Sequence, residues 1–312
     1  MTGAVFTAAR LTYRINRFEI RTIAIASVLS VAVSAAVVSW MSSSGYASCV
    51  AYFSDPPSVA CLQLMEIGVW ANKITSLSLN LVPLFPFVAG LLLGTPVIAR
   101  ELDRGTARLA WSLGPSRMRW FAARVGPMLL ITLVACFAIG IVADWIVALY
   151  NPGVDLANSF VVYHQRGVLI ATSGFLLTSI AIGLGAVVGR TMPTLILALV
   201  LGGATVTAIT GVSSNALVSE AIPLDQSSGN DDLQLDSRFQ LPDGRLVTWD
   251  ELTVIDPESM NAEFGPPYPY VPLGIPGGRH REIEAREAIA EIAAGLAFLG
   301  LGALVVSRRR PG

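Results

Sequence analysis

The stretch from Ala99 to Val125, ARELDRGTARLAWSLGPSRMRWFAARV, carries six arginines and two acids. Arg100, Arg104 and Arg108 recur at every fourth position, so they share one face of a helix. Leu102, Thr106, Leu109 and Leu113 follow steps of four, three and four and form another face. Guanidinium groups set out this way recognise carboxylates and phosphates, often through two hydrogen bonds at once. The chemistry on offer is ionic recognition. Glu101 lies three residues before Arg104, close enough to pair with it. Gly114-Pro115 ends the helix, and Ser116 is placed to cap the next one. There Arg117, Trp120 and Arg124 stand at i, i+3 and i+7. The segment reads as an amphipathic helix, a break and a second helix, folded against a membrane.

Bond-making chemistry is hard to place elsewhere. The chain has one lysine, Lys73, and no GxxxxGK[ST] loop, so it does not bind ATP by that motif. Its two histidines, His164 and His280, are far apart in sequence and no HExxH occurs, which leaves an intramembrane zinc protease unsupported. No apolar run pairs a serine with a histidine, as an intramembrane serine protease needs. No metal site is expected. Transport driven by protons or ions usually uses ionisable residues near the bilayer midplane. Asp144 and Glu291 are the only ones in the apolar runs; both are expected near the outer ends. Asp144 reads as an interfacial or capping residue, and a cluster of matched acids is missing.

The elements that must position the arginines follow from composition. Of 312 residues, 53% are hydrophobic and 14% charged, and the mean hydropathy is +0.62. Six apolar runs, 23–41, 77–99, 125–150, 168–189, 193–212 and 289–306, approach or exceed the roughly 20 residues that cross a bilayer as helix. The expected fold is an all-α polytopic membrane protein with six transmembrane helices. With the N-terminus inside, segments 1–22, 100–124, 190–192 and 307–312 hold 14 arginines against 3 acids, and the remainder holds 7 basic residues against 19 acids. Inner loops carry the excess of positive charge, so both termini are expected in the cytoplasm and the protein in the cell membrane. A signal peptide does not fit a basic lead of 22 residues before an apolar run of 19.

Arg10, Arg14, Arg17 and Arg21 line one face of an expected amphipathic helix over 1–22, lying on the inner interface against lipid headgroups. Spans one to five fill 23–212, with the loop 100–124 between the second and third. Residues 213–286, with 13 acids and 5 arginines, form a small external domain, and 287–312 the sixth span and a basic tail. Within the external domain Leu241–Trp249 reads as a hairpin turning at Asp243-Gly244. Residues 265–278 are too rich in proline for a helix or a central strand. Pro83, Pro86 and Pro96 fall in the second span, where they kink the helix. Gly90/Gly94 and Gly185/Gly189 have the spacing of close helix contacts. Cys49 and Cys61, in the first outer loop, are expected to form a disulfide; Cys136 reads as a small apolar residue.

Ala99-Arg-Glu-Leu-Asp-Arg-Gly-Thr106, then Leu109, Ser112, Arg117 and Arg124, resembles the cytoplasmic signature between the second and third spans of ABC-2 type permeases, the membrane subunits of ABC exporters. It is most similar to an actinobacterial version of that loop. The layout of six spans, an amphipathic N-terminal helix and an external insert is similar as well. The resemblance implies that the loop docks into a cleft of a separate ABC-type ATPase, which binds ATP and magnesium, while this chain holds no cofactor and is no enzyme. It implies two permeases, a homo- or heterodimer, working with two ATPases. On this resemblance Glu101, Leu102, Arg104, Gly105, Thr106, Arg108, Leu109, Ser112, Arg117 and Arg124 couple the ATPase to the spans. Leu102, Leu109 and Leu113 would bury against the ATPase or the spans, and Arg104, Arg108 and Arg117 would pair with its acids or with lipid phosphates. Glu101 would hold the helix by its ion pair, and Gly105 would allow close backbone approach. The spans have little polar lining, so the expected cargo is hydrophobic or amphipathic: a peptide, a lipid or a drug-like compound. Membrane lipids are expected partners and nucleic acid is not. The alternatives are a membrane sensor or scaffold with a ligand-binding insert, and a secondary transporter.

Overall fold

Inside a bilayer the backbone must satisfy its own hydrogen bonds, and a helix does so within one segment. The computed structural model describes residues 13–14, 16–44, 59–113, 116–150, 154–224, 231–257 and 267–309. Among them are the helices α1 (Arg17–Ser43), α2 (Val59–Leu81), α3 (Leu84–Asp103), α4 (Thr106–Leu113), α5 (Arg117–Tyr150), α6 (Val168–Val188), α7 (Thr191–Glu220), α8 (Trp249–Ile255) and α9 (His280–Arg308). Six of these, α1, α3, α5, α6, α7 and α9, are long and apolar enough to cross a membrane. The chain is a polytopic, predominantly helical membrane protein.

Several boundaries differ from those the apolar runs suggest. Pro83 interrupts the run 77–99 at the turn Val82-Pro83, so the second span is α3 and the residues before it belong to α2. The helix α2 fills much of the expected outer loop; Glu66, Asn72 and Lys73 break up its apolar face in sequence. Residue 22 is not a helix end, because α1 runs unbroken from Arg17 to Ser43. Arg17 and Arg21 therefore extend the first span, while Tyr13 and Arg14 are helical ahead of a turn at Asn16 and residues 1–12, the greater part of the expected interfacial helix, lie outside the described residues. Arg14 is helical and exposed, and Arg10 lies outside the described residues.

The chain divides into two compact units: Met1–Pro152 with Val162–Thr207 and Arg286–Gly312, and Gly153–Val161 with Ala208–Ala285. In the first unit α6 is the most enclosed span, 78% buried, whereas α7 is only 11% buried. A Cβ added at Gly90 would stand 2.8 Å from Leu177 Cβ, and one at Gly94 would stand 2.8 Å from Ala181 Cβ. This glycine pair lets the backbones of α3 and α6 approach closely, as small residues do in membrane bundles. Gly185 also packs close to α3, against Ala99, whereas Gly189 takes the left-handed conformation that ends α6. Ile23, Leu93, Ile98, Met128, Ile170, Ile182 and Val306 form the core between the helices. Two hydroxyls within it are satisfied locally: Thr132 donates to the Met128 carbonyl at 3.0 Å and Thr178 to that of Gly174 at 2.7 Å.

The second unit is not helical throughout. It holds an antiparallel sheet in the order β1 (Ile222–Pro223), β4 (Tyr270–Ile275), β2 (Leu233–Gln240), β3 (Leu246–Val247). The expected hairpin is present, with Phe239 opposite Val247 and Gln240 opposite Leu246. Gly244 has φ +83°, and Asp243 Oδ1 accepts the Arg245 N–H at 2.9 Å. Against expectation, the proline-rich stretch supplies a central strand, β4, paired on both sides. It tolerates Pro272 because that residue's carbonyl still accepts the Leu224 N–H at 2.8 Å, and the partner strand is irregular between Gln234 and Asp236. Phe239, Leu241, Val247 and Leu252 form a separate small core. Tyr268 donates to Asp256 Oδ2 at 2.7 Å, and that hydrogen bond raises the phenol above the ordinary tyrosine range.

Candidate functional site

The helix α3 ends at Asp103. Its last turn is closed by the Arg104 N–H on the Arg100 carbonyl and the Gly105 N–H on the Leu102 carbonyl, both at 3.1 Å. Gly105 has φ +72°, a backbone conformation that costs a side-chain-bearing residue about 1–2 kcal/mol. A Cβ there would meet nothing within 4 Å. Within this chain the glycine serves the left-handed turn and not a close approach. Thr106 Oγ1 donates to the Glu101 carbonyl across the turn, at 3.3 Å, and α4 begins there.

The turn splits the face that sequence spacing assembles. Leu102 stays on α3, half-buried against the core, while Leu109 lies on α4 and is 63% exposed. The inward positions of α4 are instead Ala107, buried, and Trp111, half-buried, four residues apart. Thr106 and Ser112 are exposed, and Ser112 donates to the Leu109 carbonyl at 2.9 Å. The side chains of Arg108 and Leu113, and the residues Gly114-Pro115, lie outside the described residues. Ser116 caps α5 as its position predicts, its Oγ accepting the Arg119 N–H at 3.2 Å.

Glu101 does not pair with Arg104. It is buried and bound to Arg124 of α5 at 3.0 Å, whereas Arg104 is exposed at the helix end. The cause is the direction of the face: position 101 of α3 looks into the bundle, and the arginine three residues on looks out of it. Arg100 makes a second pair that spacing gave no sign of, to Glu19 of α1 at 2.5 Å. Arg117 is also turned inward. Its guanidinium stands over the Trp111 ring at 5.3 Å, and Nη1 donates to the carbonyls of Ser307, at 3.2 Å, and Arg309. It thus engages the last carbonyls of α9, where a cation is favoured by the unpaired C=O groups. Trp111 and Trp120 meet edge to face at 5.6 Å, and Arg309 Nη2 reaches the Val187 carbonyl at the end of α6 at 3.3 Å.

At this arginine end, then, Arg100, Glu101, Arg117 and Arg124 join helices of the same chain. Arg104, Thr106, Leu109, Ser112 and Arg119 remain outward. Among the described residues no group of three or more histidines, cysteines or acids is placed to hold a metal ion. Cys61 is disulfide-bonded, Cys136 is a buried free thiol, and Cys49 lies outside the described residues.

Polar contacts also gather at the other end of the bundle. Glu287 and Glu291 are both buried on one face of α9, and His164 meets Glu287 at 2.7 Å. Asp144 pairs with buried Arg166 at 3.1 Å. Sequence spacing showed neither contact, because His164 and Arg166 come from a short loop before α6 and their partners from two other helices.

Residues 20–213, well over half of the chain and the whole stretch from Ala99 to Val125, match the family described as ABC-2 membrane transporter related. The match stops before the four-stranded sheet. No curated protein and no solved structure matches the chain.

Proposed function

Because this chain belongs to the ABC-2 membrane transporter related family, and so is a component of a membrane transport system, we propose that it is the permease subunit of an ATP-driven exporter whose ATP and magnesium are bound by a separate ABC-type ATPase. The observation that carries this reading is the division of labour at the arginine end. The acids there that face the bundle, Glu19 and Glu101, are already paired within the chain. Arg104, Leu109 and Arg119 are left for a partner. One leucine framed by guanidiniums and hydroxyls suits a cleft with an apolar floor and an acidic rim. On this reading α4 is the docking element, and its half-buried Trp111 seats it on α5 and, through Arg117, on α9. The arginine excess supports a cytoplasmic position for this end and for both termini, in the cell membrane. The weakly buried spans α1 and α7 have apolar surface for lipid and for a second permease copy or a related chain. That same apolar surface supports a hydrophobic or amphipathic cargo, moved outward.

The test is purification of the tagged chain from its native membrane in mild detergent, followed by mass spectrometry. An ABC-type ATPase is expected in amounts comparable to the permease. Arg104→Glu combined with Leu109→Asp should release it while membrane insertion stays normal. A wild-type chain that purifies with no ATPase removes the exporter reading. Glu287 and Glu291, two buried carboxylates on a candidate span, favour a second reading, a proton- or cation-driven transporter, for which transport would follow an imposed proton gradient without ATP.

A further inference from the structure

Residues 162–167 join Val162 to the start of α6. Val162 has φ +53° and His164 φ +67°. Left-handed backbone is unfavourable for any residue with a Cβ and worst for a β-branched one. Such strain persists only where surrounding contacts hold it, and it gathers at switches.

The contacts that hold this strap reach two different helices. On one side Arg166 Nη1 binds Asp144 Oδ1 of α5 at 3.1 Å. One turn earlier on the same face, Gly140 gives way to the Gly167 carbonyl, which a Cβ at 140 would strike. On the other side His164 Nε2 meets Glu287 Oε2 of α9 at 2.7 Å, with the Tyr163 ring 4.1 Å from the imidazole. One turn further along α9, Glu291 accepts from Ser173 at 2.6 Å and from Thr172, both of α6. The strap and these hydroxyls thus tie α5, α6 and α9 together. Asp144 lies 20 residues along α5 from Arg124, or about 30 Å of helix, one hydrocarbon thickness from the arginine site.

We propose that residues 162–167 are a strained latch, which closes α5, α6 and α9 on one another at the end of the bundle opposite the arginine site and releases when those helices part during transport. The release step rests on the transport reading; the latch itself does not. The Arg166–Asp144 ion pair and the His164–Glu287 hydrogen bond favour the closed arrangement, and the left-handed backbone at Val162 and His164 opposes it, so the balance is set within one short loop. Cutting one of these ties and relieving the strain must therefore act in opposite directions.

The test uses the full chain alone in lipid nanodiscs, with no ATPase and no substrate. Spin labels are placed at Ala148→Cys on α5 and Ile289→Cys on α9, both exposed, with Cys136→Ala removing the buried thiol. Pulsed dipolar spectroscopy then reads the distance distribution. Glu287→Gln is expected to raise the long-distance population at least three-fold. Adding Val162→Gly, which keeps Arg166 and Asp144 but makes the left-handed conformation easy, is expected to reverse at least half of that rise. If Glu287→Gln does not insert, Asp144→Asn replaces it, cutting the other tie. A distribution unmoved by both carboxamide variants, or one that opens further when Val162→Gly is added, overturns the latch. Because no ATPase is present, such a result leaves the exporter reading standing, and the loss of that reading would not alter the distances.

Discussion

Glu101 and Arg124 meet at 3.0 Å with side chains only 11% and 12% exposed. Removing one partner of such a pair strands the other charge, which costs about 3–5 kcal/mol, whereas removing both together costs much less. Glu101→Ala is therefore expected to destabilise the chain by about that amount, and Glu101→Ala with Arg124→Met to recover most of it. Thermal unfolding in detergent for the two single variants and the double one checks this; strictly additive losses would mean that the two charges act independently. Arg104→Ala, at the exposed helix end, should leave the unfolding midpoint unchanged, since exposed charges contribute little. The two kinds of residue look alike in sequence. An arginine stripe at spacing four was legible, but which arginines turn inward depends on Glu19 and on the C-terminus of α9, partners that lie about 80 and 190 residues away.

Between α3 and α4 the orientation of the docking element rests on one turn at Arg104-Gly105. Gly105→Val should cost about 1–2 kcal/mol through its left-handed φ and weaken retention of the ATPase. Gly105→Asn, which tolerates that conformation far better, should keep both close to wild type. Co-purification of each variant separates the explanations: if asparagine is as harmful as valine, the glycine is there so that a partner backbone can come close. At this scale the sequence was informative about length and poor about ends. Apolar runs marked six spans, and Gly90/Gly94 marked the tight contact of α3 with α6. The turn at Gly105 stayed hidden because Leu102 and Leu109 keep helical spacing across it. The helix α2 stayed hidden because Lys73 and Glu66 interrupt its hydrophobicity, and β4 because its prolines argue against a central strand until the pairing partners of its carbonyls are known.

The whole molecule combines a bundle tied by polar contacts at both ends with a sheet-bearing unit that has its own core. The family match covers residues 20–213 and so lies wholly before the sheet. Within the second unit Arg279 Nη2 binds Glu220 Oε2 at 2.5 Å, which places the end of α7 beside the start of α9. A few residues of glycine and serine can therefore join the two helices in place of 222–276, because the gap to be closed is small and short loops cost little closure entropy. The shortened chain should insert in the membrane at a near-normal level and retain the ATPase within about two-fold of wild type, since a two-fold change in binding corresponds to under about 0.5 kcal/mol. Its transport should change if the sheet handles cargo and should not if the sheet is passive. Quantifying the co-purified ATPase decides the point that matters for the docking reading. Loss of the ATPase from a well-inserted, shortened chain would mean that the sheet-bearing unit is required for assembly, and that the arginine end alone does not specify the partner.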